Sequence, residues 1–285
     1  IENMTIQTFR TIQDMRTQVA AWKAAGLRVG LVPTMGNLHE GHIALVSAAL
    51  DECDRVITTI FVNPTQFGAN EDLDSYPKTE KSDSAKVANA GGHAMFIPST
   101  SEMYPVGFST RVIVDGLTDC LCGIARPGHM DGVSQVVTKL LNQAHADVAF
   151  FGEKDWQQLA VIKRLACDLD IETEIRGVPT VRDAYGLALS SRNGYLNDEE
   201  IEIARKLNVI LKKAAYDISA GGLAIGECMK AAKALMKSGF SQVDYVECRD
   251  ADTLEMIDKA EGRSCRIFAA AHVGRARLID NHMVN

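Results

Sequence analysis

Residues 32–42 are VPTMGNLHEGH, and they follow the apolar run LRVGLV at 27–32, which predicts a buried parallel strand. A helix is predicted to follow, with His39 and His42 on one face of its first turn. Unpaired N–H groups and the positive dipole at a helix start favour phosphate, and Gly41 lets a base or ribose approach the backbone. Two imidazoles there suit charge developing on a phosphoryl group. The alternative is a capped helix with two surface histidines.

The strand-then-helix alternation continues beyond this segment. Strand-like apolar runs are predicted at 28–32, 55–62, 93–98, 147–152 and 174–179. Helical stretches are predicted between them, at 43–50, 80–90, 132–144 and 155–170. Such alternation predicts an α/β protein with a parallel sheet and helices on both faces. Residues 99–131 are less regular and carry a β-like piece at 109–114.

The pattern changes after Pro179. Two helices are predicted first and three strands after them, at 199–219, 223–238, 243–248, 265–273 and 276–279. Helices followed by neighbouring strands indicate a small α+β domain with an antiparallel sheet. We therefore predict a domain boundary near 179–183.

Composition narrows the class of protein. The 285 residues carry a formal net charge of −7, which argues against nucleic acid as a partner. No apolar run reaches the length of a membrane span, so no membrane partner is expected. Seven scattered cysteines without a C-x-x-C pair fit reduced thiols, and we expect a cytoplasmic protein.

Polar clusters follow several predicted strands where those strands end. They are NPTQFG at 63–68, GEKDWQQ at 152–158 and LSSRN at 189–193. Ligands of open parallel sheets bind at the carboxyl ends of the strands. The shared position of these clusters and of the H-x-G-H turn therefore predicts an active site.

Each cluster also has a plainer interpretation. Asn63 and Gln66 could form only a turn, or could offer amides to a small polar substrate. Lys154 is unusual, because a cation at a helix start is unfavourable unless an anion binds there, and phosphate is the natural candidate. Gln158, one turn later, is predicted to face the same cleft. The turn 126–129, RPGH, holds a substrate carboxylate or orders its loop.

Two further groups suit a nucleotide. Ser190 and Ser191 beside Arg192 either cap a turn or grip a polyphosphate. Asp155 is placed to accept from a ribose hydroxyl. The chain has no G-x-x-x-x-G-K-[ST] loop, no G-x-G-x-x-G fingerprint and no zinc spacing. Nucleotide chemistry built on H-x-G-H instead favours adenylate-forming and nucleotidyl-transferring enzymes.

These motifs, together with YPKT at 76–79 and ARLIDN at 276–281, resemble those of pantothenate synthetases (pantoate–β-alanine ligases) and recur in the family's order. That family belongs to the H-x-G-H nucleotidyltransferase superfamily. The resemblance implies a Rossmann-like domain at 1–180, a smaller α+β lid domain at 181–285 and a homodimer. It also implies condensation of pantoate with β-alanine through a pantoyl adenylate, using ATP and Mg²⁺ and releasing AMP and pyrophosphate.

The resemblance also implies roles for individual residues. The catalytic groups are His42, His39, Lys154 and Arg192. The ATP site adds Met35, Gly36, Asn37, Leu38, Glu40, Gly41, Gly152, Glu153, Asp155, Val181, Leu189, Ser190 and Ser191. The pantoate and β-alanine site takes Gln66, Gln158, Asn63 and Arg126. Asp83 stands at a position linked to Mg²⁺, with a solvated helix carboxylate as the alternative.

Some positions depart from the family pattern, namely Thr65, Met130, Asp131 and His272. None of them removes a polar group named above. Two rival functions remain open from the sequence. One is a nucleotidyltransferase that leaves the nucleotide on its product, and the other is a catalytically silent nucleotide-binding protein. Retention of His39, His42, Lys154 and Arg192 together argues against the silent protein, because binding alone needs fewer charged groups.

Overall fold

The computed structural model describes residues 6–68, 73, 74 and 76–284. The ends of the two predicted domains, at 1–5 and 285, therefore lie outside the described residues. The strands are β1 (Gln7–Phe9), β2 (Val29–Thr34), β3 (Arg55–Ile60), β4 (Ala94–Phe96), β5 (Val148–Gly152), β6 (Glu174–Val178), β7 (Gln242–Asp250), β8 (Cys265–Val273) and β9 (Ala276–Val284). The helices are α1 (Ile12–Ala24), α2 (Glu40–Glu52), α3 (Glu80–Asn89), α4 (Thr100–Met103), α5 (Cys122–Ala125), α6 (His129–Ala144), α7 (Trp156–Asp168), α8 (Asp198–Ser219) and α9 (Ala224–Lys237).

The first sheet is parallel, as predicted. Within the described residues it has six strands in the order β1-β4-β3-β2-β5-β6. The central strand β2 starts with four buried residues, because both faces of the sheet are covered. The polar clusters after β2, β3 and β5 therefore leave the sheet at one edge, where the carboxyl ends of the strands meet.

Several parts of the first sheet region differ from the prediction, and helix α1 was not predicted. The edge strand β1 was not predicted, because its first two residues are exposed and it spans only three residues. Residues 109–114 were expected to be β-like but form no strand in the structure. β-branched residues favour a strand only when a neighbouring strand supplies backbone partners.

The second sheet is antiparallel and follows two helices, as predicted. In the part of the chain that the structure describes, it consists of β7, β8 and β9 in that order. Its core contains buried apolar residues of α8, α9 and β8, among them Leu211, Leu235 and Ile267. Strand β9 runs five residues further than expected, because Asp280 and Asn281 are buried in it as hydrogen-bonded polar residues.

The chain divides into two compact units. The first comprises 1–118, 122–153 and 161–179, and the second comprises 119–121, 154–160 and 180–285. The short segments 119–121 and 154–160 thus belong to the unit that contains the carboxy-terminal sheet. The predicted division at 180/181 places both segments in the first domain. Among the described helices, none combines the length and apolarity needed to cross a bilayer.

Candidate active site

The two histidines of the H-x-G-H pattern form the cap of α2. His39 is the N-cap residue and its Nδ1 accepts from the N–H of Gly41 at 3.1 Å. The Nδ1 of His42 accepts from the N–H of His39 at 3.2 Å. A neutral imidazole whose Nδ1 accepts carries its proton on Nε2. Both rings, whose centroids lie 4.1 Å apart, therefore present Nε2–H donors from one helix start.

The loop before this helix is held by helix α3. Asn37 has a positive φ of 52°, which is unusual for a residue other than glycine. The buried carboxylate of Asp83 accepts from the N–H of Asn37 and from the N–H of Leu38, both at 2.9 Å. Lys86, one turn along α3, donates to the Leu38 carbonyl at 2.5 Å. Asp83 and Lys86 therefore form hydrogen bonds with both polar groups of the Leu38 backbone.

The contacts of Asp83 correct one expectation. A solvated helix carboxylate was the alternative to a Mg²⁺ ligand, but Asp83 is 1% exposed. Its oxygens accept from two backbone N–H groups and from the Thr79 hydroxyl at 2.9 Å. A carboxylate that accepts three hydrogen bonds is compensated for burial without a metal ion. Asp83 therefore organises the loop at 36–38.

Asn63 fixes the orientation of the Gln66 side chain. The Nδ2 of Asn63 donates to the Gly132 carbonyl at 3.0 Å, and its Oδ1 accepts from the Thr65 N–H at 3.3 Å. These two backbone groups leave no freedom to exchange the amide oxygen and nitrogen of Asn63. The same Nδ2 donates to the Oε1 of Gln66 at 3.0 Å. Gln66 therefore turns its NH₂ group away from Asn63, 3.1 Å from the Met35 sulfur.

Tyr104 completes the support of Asn63. Its hydroxyl donates to Asn63 Oδ1 at 2.9 Å, and burial raises the pKa of the Tyr104 phenol. The hydroxyl therefore keeps its proton at neutral pH. With Asn63 fully buried and Gln66 7% exposed, the amide pair is a fixed donor for a substrate oxygen.

The basic turn at 126–129 also supports Gln66. Arg126 Nη1 lies 2.8 Å from His129 Nε2, and His129 Nδ1 lies 2.8 Å from the Gln66 carbonyl. An arginine only donates, so His129 accepts through Nε2 and donates to the carbonyl through Nδ1. This geometry gives the turn the loop-ordering role that the sequence allowed. Binding of a substrate carboxylate by Arg126 stays a prediction.

The second unit brings Lys154 and Ser190 together. Both line one pocket with Leu187, Ala188, Ile279 and Asp280. The Lys154 ammonium lies 3.6 Å from an Asp155 oxygen, and the Lys154 side chain is largely buried. The Ser190 hydroxyl accepts from the N–H of Arg192 at 3.3 Å and caps a 3₁₀ turn, Ser191–Tyr195. Phosphate binding by Lys154 and Ser190 stays a prediction.

The remaining predicted site residues fall in both units. In the second, the N–H of Leu189 donates to the Val181 carbonyl at 2.9 Å, so these two predicted residues are neighbours. Gln158 is half-buried in the first turn of α7. In the first unit, Gly152 ends β5 and Glu153 begins the following 3₁₀ turn. Glu40 and Gly41 open α2.

Some residues of these networks were not predicted from the sequence. They are Lys86, Tyr104 and Gly132, all in the first unit. Each acts through another residue, so no catalytic motif contains it. The spacing of Asp83 and Lys86 on one helix face was the available signal for the pair. Tyr104 and Gly132 have no comparable signal, because their partner lies about 40 or 70 residues away along the chain.

Comparison with known proteins gives consistent matches along the chain. A family model described as pantoate-beta-alanine ligase matches residues 7–283. A pantothenate synthetase from Dinoroseobacter shibae is 54% identical over 272 residues, 95% of this chain and 97% of the relative. One from Paramagnetospirillum magneticum is 51% identical over 279 residues, 97% of each chain.

Solved structures agree with these relatives. The crystal structure of pantothenate synthetase from Thermus thermophilus has a TM-score of 0.90 at 40% identity, covering 98% of this chain and 99% of its own. A pantoate-beta-alanine ligase from Francisella tularensis, complexed with beta-gamma ATP and beta-alanine, has a TM-score of 0.82 at 33% identity, covering 98% and 97%. The match over nearly the whole chain, in sequence and in fold, shows that this chain belongs to the pantoate–β-alanine ligase family, the pantothenate synthetases.

Proposed function

We propose that this enzyme forms pantothenate in two steps. A carboxylate oxygen of pantoate attacks the α-phosphorus of ATP, and the bond to the β-phosphate oxygen breaks, giving pantoyl adenylate and pyrophosphate. The amine of β-alanine then attacks the acyl carbon and loses a proton, while AMP leaves with the former phosphate–acyl oxygen. The observation that carries the proposal is the pair of Nε2–H donors at the start of α2.

The first unit supplies the group that stabilises the transferring phosphate. His39 and His42 donate through Nε2 to phosphate oxygens, and residues 35–41 line the adenosine and phosphates. Such preorganised donors need no reorientation as negative charge develops on the phosphate and the leaving pyrophosphate. Positioning and charge stabilisation supply most of the rate in phosphoryl transfer.

Pantoate is proposed to bind at Gln66 and Gln158. The amide of Gln66 offers NH₂, so its partner is a carboxylate or hydroxyl oxygen of pantoate. Asn63, predicted as a substrate ligand, is fully buried and acts by orienting Gln66. Arg126 is proposed to act close to the same substrate.

The second unit supplies cations and hydroxyls for the nucleotide. Lys154 and Arg192 neutralise phosphate charge, with Ser190 and Ser191 as further donors. Asp155 accepts from a ribose hydroxyl. The nucleotide site is completed by Gly152, Glu153, Val181 and Leu189. We expect 181–285 to act as a lid over the domain at 1–180, because a reactive adenylate needs shielding from water.

Magnesium is expected to enter with the ATP phosphates. Mg²⁺ keeps several waters and takes substrate phosphates with one or two carboxylates. When bound, it neutralises charge on the phosphate oxygens. Asp83 fits poorly as a direct ligand, because it is 1% exposed and both of its oxygens accept backbone N–H groups. Ligation by Asp83 stays a prediction that these contacts disfavour.

We also propose a homodimer that acts in the cytoplasm. Exposed apolar side chains at Val106, Phe108 and Ile113 support self-association. The seven cysteines, all of them among the described residues, form no disulfide, which suits a reducing compartment. Light scattering measures the assembly directly, and a monomer at micromolar concentration would contradict the dimer.

The test of the reaction is exchange of labelled pyrophosphate into ATP. With pantoate and Mg²⁺ but no amine, we expect exchange that depends on pantoate, followed by release of AMP when β-alanine is added. Exchange with another acid alone would keep the mechanism and replace the substrate. A product that retains the nucleotide would indicate a nucleotidyltransferase, and nucleotide binding without any exchange would indicate a silent binding protein.

A further inference from the structure

The main chain at Lys154 is bound by a side chain of strand β9. The Nδ2 of Asn281 donates to the Lys154 carbonyl at 3.0 Å. Asn281 is 3% exposed, although it is a polar residue in a sheet. A buried amide is retained without cost only where its hydrogen bonds are satisfied. The contact therefore ties a sheet residue to the backbone of the proposed catalytic lysine.

Arg266 determines which way the Asn281 amide faces. The Nε of Arg266 donates to Asn281 Oδ1 at 2.7 Å. A guanidinium only donates, so Oδ1 must face Arg266 and Nδ2 must face Lys154. Arg266 is itself 7% exposed, so it is a buried cation whose hydrogen bond partners are needed.

The same arginine holds a second residue of the segment 154–160. Its guanidinium carbon lies 3.8 Å from the centre of the Trp156 ring, a stacking geometry. The indole N–H of Trp156 donates to the Ala251 carbonyl at 2.7 Å. Lys154 and Trp156 are thus each bound to residues of the carboxy-terminal unit, which restricts the backbone between them.

We propose that Asn281 and Arg266 are positioning residues that hold the backbone from which the Lys154 side chain extends. The proposal rests on the proposed role of Lys154 in binding phosphate. Lys154 and Ser190 line one pocket, and Asn281 binds the backbone of Lys154. Loss of the amide donor removes this hydrogen bond from the Lys154 carbonyl, and the segment relaxes. A displacement of about 1 Å at a reacting group lowers a rate by up to about 10²-fold.

The first variant to test is Asn281→Asp. An aspartate keeps the size and accepts from Arg266, but it cannot donate to the Lys154 carbonyl. Pantoate-dependent pyrophosphate exchange is expected to lose kcat by up to about 10²-fold. Asn281→Ser, which is too short to reach the carbonyl, should give the same loss and is the second variant if the aspartate unfolds the protein.

Coupling to Lys154 separates positioning from a general structural effect. Lys154→Ala removes the ammonium, so adding Asn281→Asp to it should lower kcat no further. Arg266→Met, which lacks the Nε donor, should also lower kcat in the wild-type background and should lower it no further in Lys154→Ala. An equal loss from Asn281→Asp with and without Lys154 would overturn the inference and leave the role of Lys154 standing. A wild-type rate of pyrophosphate exchange by Lys154→Ala would overturn both the positioning role of Asn281 and the proposed role of Lys154.

Asp244→Asn is the matched control. Asp244 lies in the same sheet, where its carboxylate binds Arg277 at 2.7 Å and His272 at 3.0 Å. This variant disturbs a comparable polar cluster that contains no residue of segment 154–160. We expect a lower melting temperature with unchanged kcat. If Asp244→Asn lowered kcat as much as Asn281→Asp does, the positioning role would be contradicted.

Discussion

At the scale of single residues, the tautomers of His39 and His42 determine what the H-x-G-H turn can bind. Both Nδ1 atoms accept backbone N–H groups, so both rings are donors through Nε2. An imidazole with the opposite tautomer could neither cap this helix nor donate to a phosphate at its start. Helix capping and phosphate binding therefore require the same protonation state of each ring.

This argument gives a prediction for His42. His42→Ala should lower the rate of pyrophosphate exchange by about 10²–10³-fold, the usual loss for one electrostatic donor in a transition state. His42→Asn is the sharper variant, because its side-chain oxygen can replace Nδ1 as acceptor for the N–H of His39 but supplies no donor at Nε2. His42→Asn should lose as much activity as His42→Ala, but it should unfold at a higher temperature than His42→Ala does. Near wild-type exchange by either variant would remove His42 from the mechanism.

A second prediction at this scale concerns Asp83. Asp83→Asn replaces one acceptor by a donor that faces the N–H of Asn37 or Leu38, so the loop at 36–38 loses a hydrogen bond. We expect a lower kcat and a higher KM for ATP, with half-saturation by Mg²⁺ unchanged. A titration of exchange rate against Mg²⁺ measures this. A large rise in the Mg²⁺ concentration required would instead make Asp83 a metal ligand.

At the scale of elements, helix α6 packs directly on the turn that carries Gln66. A Cβ added at Gly132 would lie 2.4 Å from the Thr65 carbonyl oxygen, so the helix approaches the turn only because residue 132 is glycine. Gly132→Ala should therefore destabilise the protein, by about 1–3 kcal/mol for an overpacked site. It should also raise the KM for pantoate, because Gln66 shifts with the turn.

The direction in which Gly132→Ala changes the free energy of unfolding tests the close approach of α6 to the turn. Glycine to alanine within a helix ordinarily stabilises, by about 0.4–1 kcal/mol. Gly226→Ala in α9 is the control, because a Cβ there meets nothing within 4 Å. Urea unfolding should show opposite changes for the two variants. If Gly132→Ala also raised the free energy of unfolding, the close approach of α6 to the turn would be refuted.

The elements also show what hydrophobic pattern can and cannot predict. The predicted run at 28–32 became β2 because an apolar strand in a parallel sheet is buried on both faces. The end of β9 was missed because Asp280 and Asn281 look unsuited to a buried strand. Their burial depends on Arg182 and Arg266, which are distant in sequence. Pairing of that kind has no signal in local periodicity.

At the scale of the whole molecule, the sequence located the candidate site through the edge of a parallel sheet. Motifs after β2, β3 and β5 could be assigned because every such strand ends at the same edge. The residues that orient them could not be assigned, since Tyr104 and Gly132 act on Asn63 across long stretches of chain. The roles of the site residues and the division at 180/181 stay predictions.

The distribution of paired carboxylates predicts how the whole protein responds to acid. Burial raises the pKa of Asp280, but His282 and the Arg182 guanidinium outweigh burial and hold that pKa below its usual range. Burial also raises the pKa of Asp244, but its contacts with Arg277 and His272 outweigh burial and hold that pKa below its usual range. An aspartate whose pKa is lower in the folded state stabilises that state above its unfolded value of about 3.9.

The free energy of unfolding should therefore fall as the pH drops through about 4, where unfolded aspartates bind protons first. Relief of repulsion in a chain of formal net charge −7 acts in the opposite direction, and we expect it to be the smaller effect. Urea unfolding between pH 7 and pH 3 measures it. The free energy of unfolding of Asp244→Asn should fall less steeply with decreasing pH than that of wild type, because the variant lacks one carboxylate that binds a proton on unfolding. Stability that rises on acidification would show that net-charge repulsion outweighs the paired carboxylates.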